Sequence, residues 1–449
     1  MDFLIKFAQA HESFRLAEIH ALAIVESVEL KIVEYSNESP FCLARLQSRA
    51  DARKLVRRSI LAQSIHELWG VGDTLDELHE SVTTRTIEQW TKFGSSSFKF
   101  SLDSYQGARS SSEKLSIING FAYLPFDGPI VMCRPEEEFT VFELWPRNSV
   151  PLKIQQPDRL FLGRFIGGSS REIISKFDLK KRSYISTTSM DSELSLVTAN
   201  IALAAPGKLF YDPFVGTGSF PIACAHFGAI GWGSDIDGRS IRGEGPRKSL
   251  KGNFEQYGLM TRLGGAFSAD LINTPIRRHR RIWDGIVCDP PYGVREGLRV
   301  LGLRDPKKTP WLIEQGKRKA CSADYVPPKK PYSFLAMLSD ILDFAADTLV
   351  DDGRVAFWMP TANDENQEIA VPQHPSLELV TICVQNFNKW SRRLIIYRRL
   401  SDDNVSTVAL AVHESKKHRT IAGTTVDDLN PFRRGYFRKF QAQNSSQQH

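Results

Sequence analysis

The six cysteines of this 449-residue chain (Cys42, Cys133, Cys224, Cys288, Cys321 and Cys383) stand singly and far apart, with no CxxC pair. Their scarcity and spacing argue against a disulfide framework and against a zinc site, so no metal ligand set is expected. Nor does any apolar run approach the ~18 residues that a membrane span requires. Residues 1–20 carry Lys6, Glu12, Arg15 and Glu18 where a secretory leader would be apolar. The expected setting is a reducing, cytoplasmic one with free thiols and no membrane. Charge of one sign is also in short supply. The chain has 58 Lys and Arg against 52 Asp and Glu, a net charge of +6 that only weakly favours an acidic partner.

What is present is ordinary globular material, 41% hydrophobic and 24% charged. At ~100–200 residues per domain the length allows two or three, with residues 441–449 as a polar tail. Cations gather locally: Arg277, Arg278, Arg280 and Arg281; then Lys389, Arg392, Arg393, Arg398 and Arg399; then residues 431–440, PFRRGYFRKF, where four cations alternate with aromatics. Such groups suit phosphates and stacked bases, although any one alone is more often a solvated cationic face.

Periodicity divides the chain. Strands at residues 3–8 and 41–46 and helices at 14–26 and 51–69 predict a small α+β unit of split βαβ character. A polar stretch, 83–96, leads to strands at 97–102, 139–144 and 160–165 and a helix at 113–119, a second α+β module ending near Gly168. From Gly207 onward, strand, glycine-rich turn and helix alternate, which predicts a parallel sheet with crossover helices. Its strands fall at 208–211, 230–234, 285–288 and 355–359, and open α/β sheets bind ligands at the carboxyl ends of such strands. Residues 377–384 and 393–398 read as a hairpin closing the sheet edge. Residues 294–330 form a long charged insertion of the kind that is usually functional or mobile.

The first strand of this sheet runs into Asp212-Pro213-Phe214-Val215-Gly216-Thr217-Gly218-Ser219-Phe220. Gly216 and Gly218 leave room for close backbone approach or positive φ. No lysine follows as a P-loop needs, and Pro221 stands where a dinucleotide fingerprint needs glycine. An acid at the head of the turn suits a cationic ligand such as the ammonium of S-adenosylmethionine (SAM). Asp212 is that acid, with Phe214 in the same turn. At the end of the next strand Asp235, and with less certainty Asp237, is placed for ribose hydroxyls. Asp270, after the third strand, is placed for the adenine amino group.

Asp289-Pro290-Pro291-Tyr292 follows the apolar strand at 285–288. Two prolines fix the backbone, so the Asp289 carboxylate and the Pro290 carbonyl can point into one pocket. An exocyclic amine has two N–H donors and a lone pair delocalised into its ring. Two fixed acceptors would free that lone pair for attack on the SAM methyl, Asp289 taking up developing charge while Tyr292 stacks on the base. A base inside a helix must first be flipped out.

DPFVGTGSF (212–220), GSDIDGRSIRG (233–243) and DPPYGVRE (289–296), in this order, resemble the class I SAM-dependent amino-methyltransferases. FDLKKRSYISTTSMDSELSLVTANIA (177–202), YVPPKKPY (325–332), FWMPTAND (357–364) and FNKWSRRL (387–394) bring the resemblance closer, to the eukaryotic tRNA guanine-10 2-amino methyltransferases. The resemblance implies a ferredoxin-like unit at residues 1–80, a THUMP domain that grips tRNA at 81–168, and a Rossmann-like methyltransferase domain at 169–440. It implies SAM as cofactor, tRNA as substrate and a small zinc-binding activator protein as partner. It also places Thr188 near the cofactor, although the Thr188-Ser189 pair before Asp191 fits a helix N-cap as well. Val215 stands where many relatives carry alanine. An adenine-amine methyltransferase acting on other RNA or DNA, and a non-catalytic RNA-binding scaffold, stay open at this point.

Overall fold

The computed structural model describes residues 1–293, 298–302, 313–314, 317–318, 328–362, 370–387 and 390–417. Most of the 294–330 insertion, Lys389, the cation–aromatic segment at 431–440 and the polar tail lie outside the described residues. Two compact units divide between Arg171 and Glu172.

The first unit is β1 (Asp2–Phe7), α1 (Arg15–Val25), β2 (Lys31–Tyr35), β3 (Phe41–Arg45), α2 (Arg49–Arg57), β4 (Ala62–Gly72), α3 (Leu75–Thr86), β5 (Phe98–Tyr105), α4 (Ser111–Asn119), β6 (Glu137–Leu144), α5 (Ser149–Leu152) and β7 (Arg159–Gly168). Its strands make one continuous sheet in the order β2-β3-β1-β4-β7-β6-β5. The break expected at residue 80 therefore falls inside α3, and β4 pairs with β7 across it. Trp69, Leu78, Phe139 and Leu162 form one core on this sheet, and Leu4, Phe41, Phe142 and Phe161 another.

The helix expected over 51–69 is corrected: α2 ends at Arg57 and β4 follows. Glu18, wholly buried on α1, accepts the backbone N–H groups of Ile60 and Leu61 at 2.9 Å each and the Ser59 hydroxyl at 2.7 Å. A side chain has taken the donors that would have extended the helix. β4 is central in the sheet and buried on both faces from Ile65 to Gly70, His66 and Glu67 included, so polar and apolar residues do not alternate with the period of two. Replacing Glu18 with alanine strands two buried amides and should cost about 2–4 kcal/mol. Urea unfolding of the full chain, with hydrogen exchange at Ile60 and Leu61, checks it.

The second unit contains α6 (Ile173–Phe177), α7 (Ser192–Ile201), β8 (Leu209–Asp212), α8 (Ser219–His226), β9 (Ile230–Asp235), α9 (Gly238–Arg242), α10 (Leu250–Gln256), β10 (Leu263–Ser268) and β11 (Trp283–Cys288). The short strands β12 (Arg299–Leu301), β13 (Ile313–Glu314), β14 (Lys317–Arg318) and β15 (Lys329–Pro331) form two small ribbons. Then come α11 (Phe334–Thr348), β16 (Leu349–Ala362), β17 (Leu377–Asn386), β18 (Trp390–Arg399) and α12 (Thr407–Lys417). The main sheet runs β10-β9-β8-β11-β16-β18-β17. β8 to β11 and β16 are parallel, and the β17–β18 hairpin adds antiparallel strands at one edge. Met337, Leu338 and Ile341 of α11 pack on Ile286, Val355, Phe357 and Ile395 of the sheet.

Successive strands leave β8 in one direction, through β9 to β10, and in the other from β11 onward. A crevice opens between the crossovers at such a reversal, and Asp212 and Asp289 stand on its two sides. Part of two cationic clusters is engaged inside this unit. Arg281 and the nearly buried Arg399 share Asp351 and Asp402, and Arg398 pairs with Glu378 at 2.6 Å and Asp352 at 3.0 Å. No helix among the described residues is long and apolar enough to cross a membrane.

Candidate active site

Asp212 closes β8 and is 2% exposed. Its Oδ1 accepts the Phe214 N–H at 2.9 Å. The turn then passes Gly216 at φ 47° and Gly218 at φ 91°, and Gly218 caps α8. Asp235, at the end of β9, accepts the Gly216 N–H at 3.0 Å and the Asp237 N–H at 2.8 Å. The two strand ends are thus tied through the glycine turn. Asp289 follows β11, and its Oδ1 accepts the Tyr292 hydroxyl at 2.5 Å.

These groups line one cleft of about 290 Å³ together with Ser186, Thr188, Phe214, Gly216, Pro290 and Pro291. Burial pushes the Asp212 carboxyl well above the ordinary carboxylate range, and the charges of Asp235 and Asp289 push it further. Burial also raises Asp235, against the two backbone donors that lower it. Asp289 is raised to about 6 by burial, opposed by the Tyr292 hydroxyl and the charge of Arg392. A pocket of acids whose charge is disfavoured by burial suits a cation.

The remaining expected residues are placed differently. Gly218 shapes the turn without lining the cleft. Asp237 caps α9 and grips Arg239, whose hydrogen bonds hold its carboxyl down at about 2. Asp270 accepts the Asn273 N–H at 2.6 Å and the Leu301 N–H at 2.7 Å, tying the turn after β10 to β12. Neither Asp237 nor Asp270 lines the cleft. Thr188 does, while the helix cap that its neighbourhood suggested is Asp191, which accepts the Leu194 N–H at 2.9 Å. Tyr292 sets its ring edge-to-face against Trp390, with centroids 6.3 Å apart. Its hydroxyl has a use that a stacking role alone did not suggest.

Sequence reasoning missed the groups that brace the cleft. Asn253 of α10, wholly buried, donates to the carbonyls of Thr217 at 3.0 Å and Tyr184 at 2.8 Å. Ser189 meets the Thr217 hydroxyl at 2.8 Å, and Arg182 donates to Ser219 at 2.9 Å. No local motif marks residues that act across such separations. Asp343, His374 and His413 were missed for the same reason, and their ligand atoms all lie within 4.8 Å of one another. Here the Ser376 N–H donates to His374 Nδ1 at 3.0 Å, which leaves the ring proton on Nε2, facing Asp343 at 3.4 Å. His413 Nε2 meets the same carboxylate oxygen at 2.9 Å, so the trio joins α11, the segment before β17 and α12 in one polar knot.

Residues 1–171 match the Tmrp11 THUMP N-terminal domain. The chain is 44% identical to the tRNA (guanine(10)-N(2))-methyltransferase of Saccharomyces cerevisiae, over 88% of this chain and 92% of that protein. It belongs to the tRNA (guanine(10)-N(2))-methyltransferase family. The Schizosaccharomyces pombe relative is 39% identical over 89% of each chain. The human relative is 35% identical over 89% of this chain and 88% of its own. Among solved structures, TrmN from Thermus thermophilus aligns over 89% of this chain and 100% of its own at 17% identity, with a TM-score of 0.42 that is too low to carry an argument.

For this family member Val215 has a visible consequence. A Cβ added at Gly233 would lie 2.4 Å from Val215 Cγ2, so the larger side chain leaves β9 no room at that position. Gly233→Ala should cost about 1–3 kcal/mol in a thermal or urea melt. Val215→Ala in the same chain should recover only part of that loss, because the Cβ it keeps still lies 2.6 Å from the added one; no recovery at all would show that the methyl contact does not contribute to the cost.

Proposed function

We propose that this chain transfers the methyl group of SAM to the 2-amino group of a guanine in tRNA, at the position 10 that its relatives' names carry. The observation that carries the reading is the convergence of Asp212, Asp235 and Asp289 on one cleft, from the ends of three parallel strands, in a chain of this family. In this reading Asp212 holds the ammonium of the cofactor, and Asp235 takes the ribose hydroxyls on oxygen lone pairs that its two backbone donors leave over. Phe214, Gly216 and Thr188 line the same space, and Gly218 sets the turn. Asp237 and Asp270 support the loops around it. Bound SAM supplies an electrophilic methyl on a sulfonium.

The chain's own residues prepare the nucleophile. One oxygen of Asp289 already receives the Tyr292 hydroxyl, so the amine is offered the other oxygen and the Pro290 carbonyl. Two acceptors for two N–H donors draw the nitrogen toward a tetrahedral shape and aim its lone pair. The carboxylate then accepts the proton that the methylated nitrogen sheds. Asp212, Asp235 and Asp289 are all intact, which favours an enzyme over a scaffold.

The reading extends to a ferredoxin-like and THUMP arrangement of residues 1–80 and 81–168 gripping tRNA, ahead of the catalytic domain at 169–440. It includes a small zinc-binding activator protein as partner and a cytoplasmic setting. Labelled methyl transfer to unmodified tRNA, with and without that partner, followed by nucleoside analysis, tests it. N2-methylguanosine is expected, whereas a methylated adenine amine would move the substrate and tight tRNA binding without SAM affinity would favour a scaffold.

Asp289→Ala should lower transfer by at least ~100-fold while SAM affinity measured by calorimetry stays within about twofold. Because Asp289 is held at about 6 and acts as a carboxylate, the rate should climb as pH rises through that value and level off above it. A rate independent of pH between 5 and 8, at saturating substrates, would count against the role.

A further inference from the structure

Arg392 sits on β18 opposite Pro360 of β16 and Gln385 of β17, and it is restrained on every side. Its guanidinium lies 4.7 Å from the ring centre of the buried Trp358 and 5.7 Å from that of Phe387. Nε donates to Gln385 Oε1 at 2.5 Å, and Nη2 is 3.6 Å from Asp191 Oδ2. Trp390, two residues earlier on the same face of β18, meets the Tyr292 ring with centroids 6.3 Å apart, so the guanidinium charge acts on the phenol whose hydroxyl Asp289 accepts. A long side chain immobilised by two rings, an amide and a carboxylate has lost most of its rotamer freedom. The charge so fixed acts on the Asp289–Tyr292 pair.

We propose that Arg392 is a positioning residue for the transfer: acting through Tyr292, it holds Asp289 as an oriented carboxylate at the cleft. This rests on the methyltransferase reading above and adds to it the group that keeps the acceptor charged. The need follows from the surroundings of Asp289. Burial disfavours its charge, and that charge in turn acts on Asp212 at the end of β8. Tyr292 and Arg392 are the groups that oppose the effect of burial. Asp191, at the start of α7, steadies the guanidinium on its far side and joins β18 to the segment at 186–190 that lines the cleft. The aromatic seat and the Gln385 bond set the direction of the charge, which a freely moving lysine would supply less well.

The test uses the full chain with its partner, in Arg392→Met, Arg392→Lys and Tyr292→Phe forms. The Asp289 ionisation is followed directly by carbon-13 NMR of labelled aspartate, its resonance assigned with Asp289→Asn. The midpoint should move to higher pH in Arg392→Met, by about one unit for the lost charge, and also in Tyr292→Phe, for the lost hydrogen bond. The acid limb of the kcat profile should move with it. At neutral pH, kcat for Arg392→Met should fall about tenfold, with KM for SAM changed by less than about twofold. Arg392→Lys should restore the midpoint and part of kcat. A midpoint unchanged in Arg392→Met overturns the proposal, as does a kcat lowered equally at every pH. Should Arg392→Met not fold, Arg392→Gln carries the same comparison. Wild-type protein that methylates no guanine in tRNA would count against the function, while the NMR midpoints would still decide the role of Arg392.

Discussion

The constraint on which the rest depends is the reversal of strand order at β8. Parallel strands present their carboxyl ends at one edge of the sheet, and crossovers that diverge there leave the edge uncovered. In this chain the edge receives Asp212 from β8, Asp235 from β9 and Asp289 after β11. The glycine turn must fit between the strands, which is why Val215 packs against Gly233 and why Gly216 and Gly218 take positive φ. The prolines after Asp289 keep its loop from collapsing into the space.

Three carboxylates in one half-buried cleft are a cost to the free protein. Asp212 and Asp235 bind protons more tightly folded than unfolded, so they favour the fold most at low pH. That contribution is lost as pH rises from the ordinary carboxylate range through their raised values. A cationic ligand returns part of it, and cofactor affinity and local stability are therefore linked. Arg392 offsets the charge at the catalytic end. The other acids are left with backbone donors, an arrangement that suits a site needing to be attractive to a cation and still open.

The first unit meets buried charge in a different way. Arg164 binds Glu137 at 2.6 Å and Glu67 at 3.1 Å, and Glu67 also receives Arg49. Acids and arginines are matched there on β4, β6 and β7, with the Arg164 guanidinium 4.4 Å from the Phe93 ring. Matched charge of this kind holds the strands in register. The contrast between the two units separates structural ion pairs from a site more clearly than the arginine count of either.

Much of this was legible in the chain itself. DPFVGTGSF, GSDID and DPPY each combine residues that act within a few positions of one another, and a strand end, a turn and a loop are local objects whose chemistry can be read in order. The parallel sheet and the edge hairpin followed from periodicity. The sequence could not show that residues 62–72 are a strand, because burial on both faces erases the alternation that marks one. Nor could it show that Asp270 and Asp237 would be engaged by their own loops, or that the arginines at 398 and 399 would be spent on acids. Asn253, Arg392 and the Asp343–His374–His413 knot act across the sheet, where sequence distance says nothing about contact. The sequence by itself determined the chemistry at each strand end, since that depends on neighbours along the chain. Only the tertiary structure decided which of those ends face one cleft, and which distant side chains orient and charge them.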